Sequence, residues 1–204
     1  MGLDERSNEN CKGIEDSQAT LTGILAKEHE ATGLPYSRMV LTGFSQGGAL
    51  SLYTGLQLPA EQALAVVVVH SGYLHSATKV AVTPGLEDMP VWHGHGTQDM
   101  LVRPELATKS QEAVQGKGLR NYKLTTYPIA HTVDMAELKD VLGFLQTVLP
   151  PDDTCKITLK EPSAMSIKEL KAAVRKGGLQ SKALGFTEKR EFIELLTDHR
   201  NGKL

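Results

Sequence analysis

The stretch Met39–Leu50, Met-Val-Leu-Thr-Gly-Phe-Ser-Gln-Gly-Gly-Ala-Leu, constrains this chain more than any other. A short apolar run, Met39-Val40-Leu41, enters it, and Gly43-Phe44-Ser45-Gln46-Gly47 turns it. Gly48-Ala49-Leu50-Ser51-Leu52-Tyr53 leaves it with helical spacing. Strand, G-x-S-x-G, helix is the context in which this pattern carries a mechanism. The turn at Ser45 is so sharp that Gly43 and Gly47 are expected to relieve a collision two positions to either side. The serine hydroxyl is then held beside a helix N-terminus, where backbone N–H groups favour negative charge. The plain alternative is a Gly-rich turn with an idle serine.

The rest of the chain alternates strand and helix. Helical spacing is expected over Gly13–Thr32, Gln46–Leu56, Pro104–Gly116 and Met135–Leu149. Strands are expected over Arg38–Thr42, Leu64–Val69, Pro90–His95 and Asn121–Tyr127. The unbroken run at Leu64–Val69 fits a strand buried on both faces of a parallel sheet. The class is therefore α/β with a mostly parallel sheet. Pro150-Pro151-Asp152-Asp153 reads as a linker, dividing the chain into 1–153 and 154–204. In the second part Ser166 and Glu169 form a capping box, with Met165 and Leu170 as a hydrophobic staple. Thr187 is the expected cap of a second helix bearing Phe192, Ile193, Leu195 and Leu196. The result is a helix–loop–helix hairpin.

Charge separates the same two parts. Residues 1–154 carry a formal −7 and residues 155–204 a formal +5, against −2 for all 204 residues. The basic tail is a candidate contact for something anionic. No run of about 18 apolar residues exists to span a membrane. The polar start Met1-Gly2-Leu3-Asp4-Glu5-Arg6 is not a secretory signal. Arg6 stands where a myristoylation pattern after Gly2 needs Ser or Thr. Two widely separated cysteines, Cys11 and Cys155, suit a reduced cytoplasmic chain.

A serine hydroxyl needs a base within hydrogen-bond reach, and the base needs an orienting group. In hydrolases with a strand–elbow–helix turn the order is Ser, then Asp or Glu, then His. Asp99 follows the strand Val91-Trp92-His93-Gly94-His95, and His131 follows Tyr122–Tyr127. Both lie at carboxyl ends of strands, where ligands collect in open α/β sheets. Asp88 and Asp134 fit this order less well. Ser45 is thus the candidate nucleophile, His131 the base, Asp99 the orienting acid, and the Gln46 backbone N–H an oxyanion donor. Taken singly, Asp99 also reads as a turn residue and His131 as a loop residue. His93 and His95 share a strand face and read as packing histidines or, in the alternative, as metal ligands. His70 reads as satisfied within the structure, and His29, His75 and His199 as surface positions.

Gly43-Phe44-Ser45-Gln46-Gly47-Gly48-Ala49 with Ser51-Leu52-Tyr53 closely resembles the acyl-protein thioesterase and carboxylesterase family of α/β-hydrolases. The resemblance runs from about Asp4 to Asp153 and includes Gly13-Ile14-Glu15-Asp16, Leu34–Arg38, Ser71–Leu74, His95–Val102 and Tyr127–His131. It implies that Ser45, Asp99 and His131 form a triad, that no cofactor or metal is used, and that the substrates are fatty-acylated proteins or small acyl esters. Family members begin with a strand and a His-Gly-Leu-Gly-Asp-type loop that supplies a second oxyanion donor, and this sequence starts after it. An α/β-hydrolase fold lacking its first strands is therefore expected. Family members usually carry Gly and Met before the catalytic His, where this chain has Ile129-Ala130. They commonly end near Pro150-Pro151-Asp152.

The tail from Met165 to Leu196 resembles the SAP-like hairpin, some examples of which bind nucleic acid through a basic face. Lys168, Lys171, Arg175, Lys176, Lys182, Lys189 and Arg190 are the candidate contacts, the alternative being protein docking or a solvated surface. Apolar residues near Leu74 and Met100 are expected to line the acyl pocket. Two rival readings are an inactive hydrolase-like binding module and a fragment of a longer active enzyme.

Overall fold

The computed structural model describes residues 11–155 and 160–203. It divides into two compact units, 1–155 and 156–204. In the first, four strands form one parallel sheet in the order β1 (Val40–Phe44), β2 (Val66–His70), β3 (Val91–Gly96), β4 (Tyr122–Tyr127). The helices are α1 (Ile14–Thr32), α2 (Gln46–Gly55), α3 (Pro104–Gln115) and α4 (Met135–Val148). β1 begins two residues later than the apolar pattern suggests, because Tyr36–Arg38 close a 3-10 turn first.

Side-chain alternation divides the core between the two sheet faces. Leu41, Val67, Val69 and Val91 pack with Ile14 and Leu25 of α1, Leu52 and Tyr53 of α2, and Val114 of α3. Val66, Val68, Trp92 and Tyr127 pack on the other face against Val141 of α4. The four valines of β2 are all buried, as a strand covered on both faces requires. The α4 face also carries polar side chains, His70 and Glu137 among them. Glu137 is fully buried and occupies the space left by the absent side chain of Gly94, where a Cβ would collide with its carboxylate.

The second unit has a core of its own. A 3-10 turn at Pro162–Ala164 precedes α5 (Ile167–Lys176), and α6 (Lys189–Arg200) follows. Met165, Leu170, Val174, Leu179, Phe192 and Leu196 pack together. The Ser166 Oγ accepts from the Glu169 N–H at 3.3 Å, and the Ser166 N–H donates to Glu169 Oε2 at 2.6 Å. Thr187 is not the cap of α6. That position belongs to Glu188, because Glu191 accepts from the N–H groups of both Thr187 and Glu188 and starts the helix one residue later.

The backbone N–H of Ser166, its side chain and Lys160 hold the Glu169 carboxyl at about 2. A depressed carboxyl favours the folded hairpin fully above its ordinary value of about 4.3. That contribution is lost as the pH falls toward about 2. The Glu169 carboxyl followed by carbon NMR should therefore titrate near 2, and Ser166→Ala should raise the midpoint toward the ordinary value.

Candidate active site

Phe44 ends β1 and Gln46 begins α2, so the whole reversal falls on Ser45. Ser45 adopts φ 55° and ψ −119°. Its N–H donates to the His70 carbonyl at 2.8 Å, and its carbonyl accepts from the Ala49 N–H at 3.0 Å. Gly43 is required because a Cβ there would collide with the backbone of Gly47. Gly47 itself is not tight, since a Cβ there meets nothing within 4 Å. The expectation of paired relief at Gly43 and Gly47 is corrected: the second close approach is at Gly48, where a Cβ would lie 2.8 Å from the Gly43 carbonyl oxygen. Gly47 instead faces a cleft of about 380 Å³, lined also by Cys11, Ile14, Ser17, Gln46 and His75.

Asp99 and His131 come from the loops after β3 and β4. These loops are joined backbone to backbone: Thr97 N–H donates to the Tyr127 carbonyl at 2.7 Å and Gln98 N–H to the Ile129 carbonyl at 3.0 Å. Gly96 permits this, because a Cβ there would collide with the carbonyls of Ile129 and Ala130. The Asp99 side chain is fully buried. Its Oδ1 accepts from the N–H groups of Leu101 and Val102 at 2.9 and 2.8 Å, leaving Oδ2 for His131.

Ser45, Asp99 and His131 are brought together. His131 Nδ1 lies 2.7 Å from Asp99 Oδ2, and His131 Nε2 lies 3.0 Å from Ser45 Oγ. The imidazole packs against Phe44, with ring centroids 4.7 Å apart. Gln46 is the first residue of α2, so its N–H has no acceptor inside that helix. The chemistry open to this set is proton removal from Ser45 with a donor beside the hydroxyl.

The remaining histidines differ from expectation in part. His93 and His95 are buried and hydrogen-bonded, to the Tyr122 hydroxyl and the Val102 carbonyl respectively. Burial, outweighing all else, depresses the basicity of both. Among the described residues no group of three or more His, Cys, Asp or Glu is placed to hold a metal ion. His29 and His199 are exposed, but His75 is buried, edge-on to Tyr73 at 4.5 Å. Leu74 and Met100 do not line one pocket: Leu74 is in the core, whereas Met100 is 79% exposed on the Asp99 loop.

One polar pair carried no sequence signal. His70 Nδ1 lies 2.6 Å from Glu137 Oε1, joining the end of β2 to the first turn of α4. An acid in the first turn of a helix ordinarily reads as a solvated partner of the dipole. Only Gly94 on another strand, which makes room for it, would have hinted otherwise.

A parallel sheet with a strained serine between strand and helix, and a histidine and an aspartate on later strand ends, defines the α/β-hydrolase class. Residues 1–149 match the Phospholipase/Carboxylesterase family, and the chain belongs to it. It is 37% identical over 150 residues to acyl-protein thioesterase 1 of Neurospora crassa, covering 71% of this chain and 60% of that protein. It is 32% identical over 146 residues to acyl-protein thioesterase 1 homolog 2 of Dictyostelium discoideum, covering 71% and 64%. The chain thus spans less than two thirds of the length of these relatives. Among solved structures, the esterase PE8 superposes with a TM-score of 0.59 at 29% identity, covering 67% of this chain and 62% of that one. The Zea mays acyl-protein thioesterase 2 superposes with a TM-score of 0.61 at 21% identity, covering 73% and 70%, a likeness of fold.

His70 and Glu137 tie the strand behind Ser45 to the helix that follows His131. His70→Ala would leave the buried Glu137 carboxylate without its partner. The expected loss is about 1–3 kcal/mol, as for leaving a buried polar group unsatisfied, read from the urea midpoint and slope.

Proposed function

We propose that this chain is a serine hydrolase of thioesters and carboxylic esters, acting as an acyl-protein thioesterase on fatty-acylated proteins, with small acyl esters as further substrates. The observation that carries the reading is His131, in reach of Ser45 Oγ at 3.0 Å and of Asp99 at 2.7 Å. Identity to acyl-protein thioesterases supports the substrate class.

Ser45 Oγ attacks the acyl carbonyl carbon while His131 Nε2 takes the hydroxyl proton. Asp99, held by its own backbone hydrogen bonds, fixes the Nδ1–H tautomer and stabilises the imidazolium. The oxyanion that forms accepts from the Gln46 N–H. Collapse breaks the acyl–sulfur or acyl–oxygen bond, and His131 returns the proton to the leaving thiol or alcohol. Water then attacks acyl-Ser45 with His131 again as base, releasing the acid and restoring the hydroxyl. No step calls for a metal or cofactor.

Among the described residues no helix is long and apolar enough to cross a membrane. Cys11 and Cys155 are both free thiols, which agrees with a cytoplasmic location as part of this reading. The second unit is read as a SAP-like appendage, supported by two capped helices on a separate core and by its basic charge. Binding of duplex DNA that weakens steeply with salt, and disappears on deleting residues 156–204, is the outcome expected if its basic residues contact nucleic acid. Absence of binding at low salt would leave it a protein-docking or solvated hairpin.

The hydrolase reading is tested by a fluorescent fluorophosphonate on the folded chain, with Ser45→Ala beside it. Labelling of the parent and not of the variant is expected. A cooperatively melting parent that stays unlabelled would overturn the reading in favour of a hydrolase-like binding module.

A further inference from the structure

Behind Asp99 runs a second line of polar groups that the hydrolytic steps do not use. The Tyr122 hydroxyl lies 2.7 Å from His93 Nδ1, His93 Nε2 lies 3.3 Å from His95 Nδ1, and His95 Nε2 lies 2.8 Å from the Val102 carbonyl. His93 and His95 are fully buried. Burial lowers the basicity of both imidazoles, so each ring is neutral with one N–H, although the carbonyls of Gly72 and Val102 oppose it. Burial also raises the Tyr122 hydroxyl, which stays protonated.

The Val102 carbonyl fixes the direction of the line at its His95 end. A carbonyl only accepts, so His95 donates from Nε2 to Val102. His95 Nδ1 is then an acceptor and takes the Nε2–H of His93. His93 Nδ1 in turn accepts from Tyr122. The line ends where Asp99 is held. Val102 donates its N–H to Asp99 Oδ1 and accepts from His95 through its carbonyl. The turn between them is otherwise poorly packed, with Met100 79% and Leu101 50% exposed and Val102 as its buried root. His95 Nε2 also lies 3.6 Å from Asp99 Oδ2, an approach longer than a hydrogen bond.

We propose that His95 is a positioning residue, whose Nε2–H, donated to the Val102 carbonyl, holds the Asp99–Val102 turn so that Asp99 Oδ2 is aimed at His131. This rests on the reading of Asp99 and His131 as triad members. His95 touches neither substrate nor the reacting atoms; it acts through Val102 and Asp99. The Val102 carbonyl sets its tautomer, and His93, 3.3 Å from His95 Nδ1, supports it.

The test uses the atom that donates. A glutamine amide nitrogen reaches the place of the imidazole Nε2, whereas an asparagine nitrogen stops at the place of Nδ1. His95→Gln keeps the bond to Val102, and His95→Asn loses it. His95→Leu, apolar and of similar bulk, is a second variant without a donor should His95→Asn fail to melt cooperatively. With p-nitrophenyl acetate, the donor-free variants are expected to lose about 10- to 100-fold in kcat with KM within about threefold, the scale of a misplaced catalytic group. His95→Gln should stay within about threefold of the parent in kcat.

The low-field proton resonance of the His131 Nδ1–H···Asp99 bond reads the same geometry without turnover. It should persist in His95→Gln and disappear in the donor-free variant. Equal losses in the Gln and Asn variants, or an unchanged rate and resonance in a folded donor-free variant, would overturn the proposal. If the parent neither turns over nor labels, the hydrolase reading falls by itself. The resonance then decides alone: kept with Gln and lost with Asn, positioning stands; unchanged with Asn, it falls.

Discussion

Ser45 holds φ 55° and ψ −119°, a conformation that costs a residue with a side chain about 1–3 kcal/mol and persists only where its surroundings impose it. Both of its backbone groups are committed, the N–H to His70 on β2 and the carbonyl to Ala49 in α2. Neither bond survives if Ser45 relaxes toward an ordinary β or α conformation. Gly43 closes the third side, because its missing Cβ lets the end of β1 lie against the first turn of α2. The side chain therefore has no choice but to stand above the sheet. His70 is fixed in its turn by Glu137 from α4, and Ser71 donates its N–H to Gly94 on β3. The elbow, two strand ends and the start of α4 form one unit.

The loops bearing Asp99 and His131 are joined to each other by the same means, backbone against backbone. Gly96 has no side chain to hold β3 away from the Ile129-Ala130 backbone, and two hydrogen bonds fill the gap. The carbonyls of Ile129 and Ala130 are what meet Gly96, and the Ile129 side chain packs against the Trp92 and Tyr127 cluster. The loop with Ile129-Ala130 brings His131 to 2.7 Å from Asp99.

The sheet, the helix order and the meeting of Ser45 with His131 and Asp99 follow from local patterns: the Gly-bounded turn, the buried valine run, and an acid and a histidine just past strand ends. What escaped the sequence depends on packing that local pattern does not show, in one case on a pair remote along the chain. Glu137 looks like any first-turn acid, and its burial follows from Gly94, on a strand more than a turn of structure away. His75 reads as a surface position, yet it is buried and lies edge-on to Tyr73, two residues before it. Gly47 and Gly48 are indistinguishable by motif, yet only the second meets a backbone oxygen closely. Leu74 and Met100 follow strands alike, but the first turns into the core and the second to solvent. Position after a strand says where a residue is and not which way it faces.

Buried polar groups are costly when they lack partners and rigid when they have them. Around Asp99 nearly every one is matched with a definite donor and acceptor sense. The carboxylate accepts from two backbone N–H groups and from His131, so turning it requires breaking three bonds at once. Behind it, Tyr122, His93 and His95 form a line whose polarity admits no reversal, because it ends on a carbonyl that only accepts. Reversing any one ring would set two lone pairs or two N–H groups face to face in a site without solvent. A neutral line of this kind adds no charge near the Asp99–His131 pair and does not weaken their attraction. In the proposed hydrolysis, its contribution is to hold dipoles already oriented before a proton moves, which is where preorganised sites gain over water, whose dipoles must turn during the reaction.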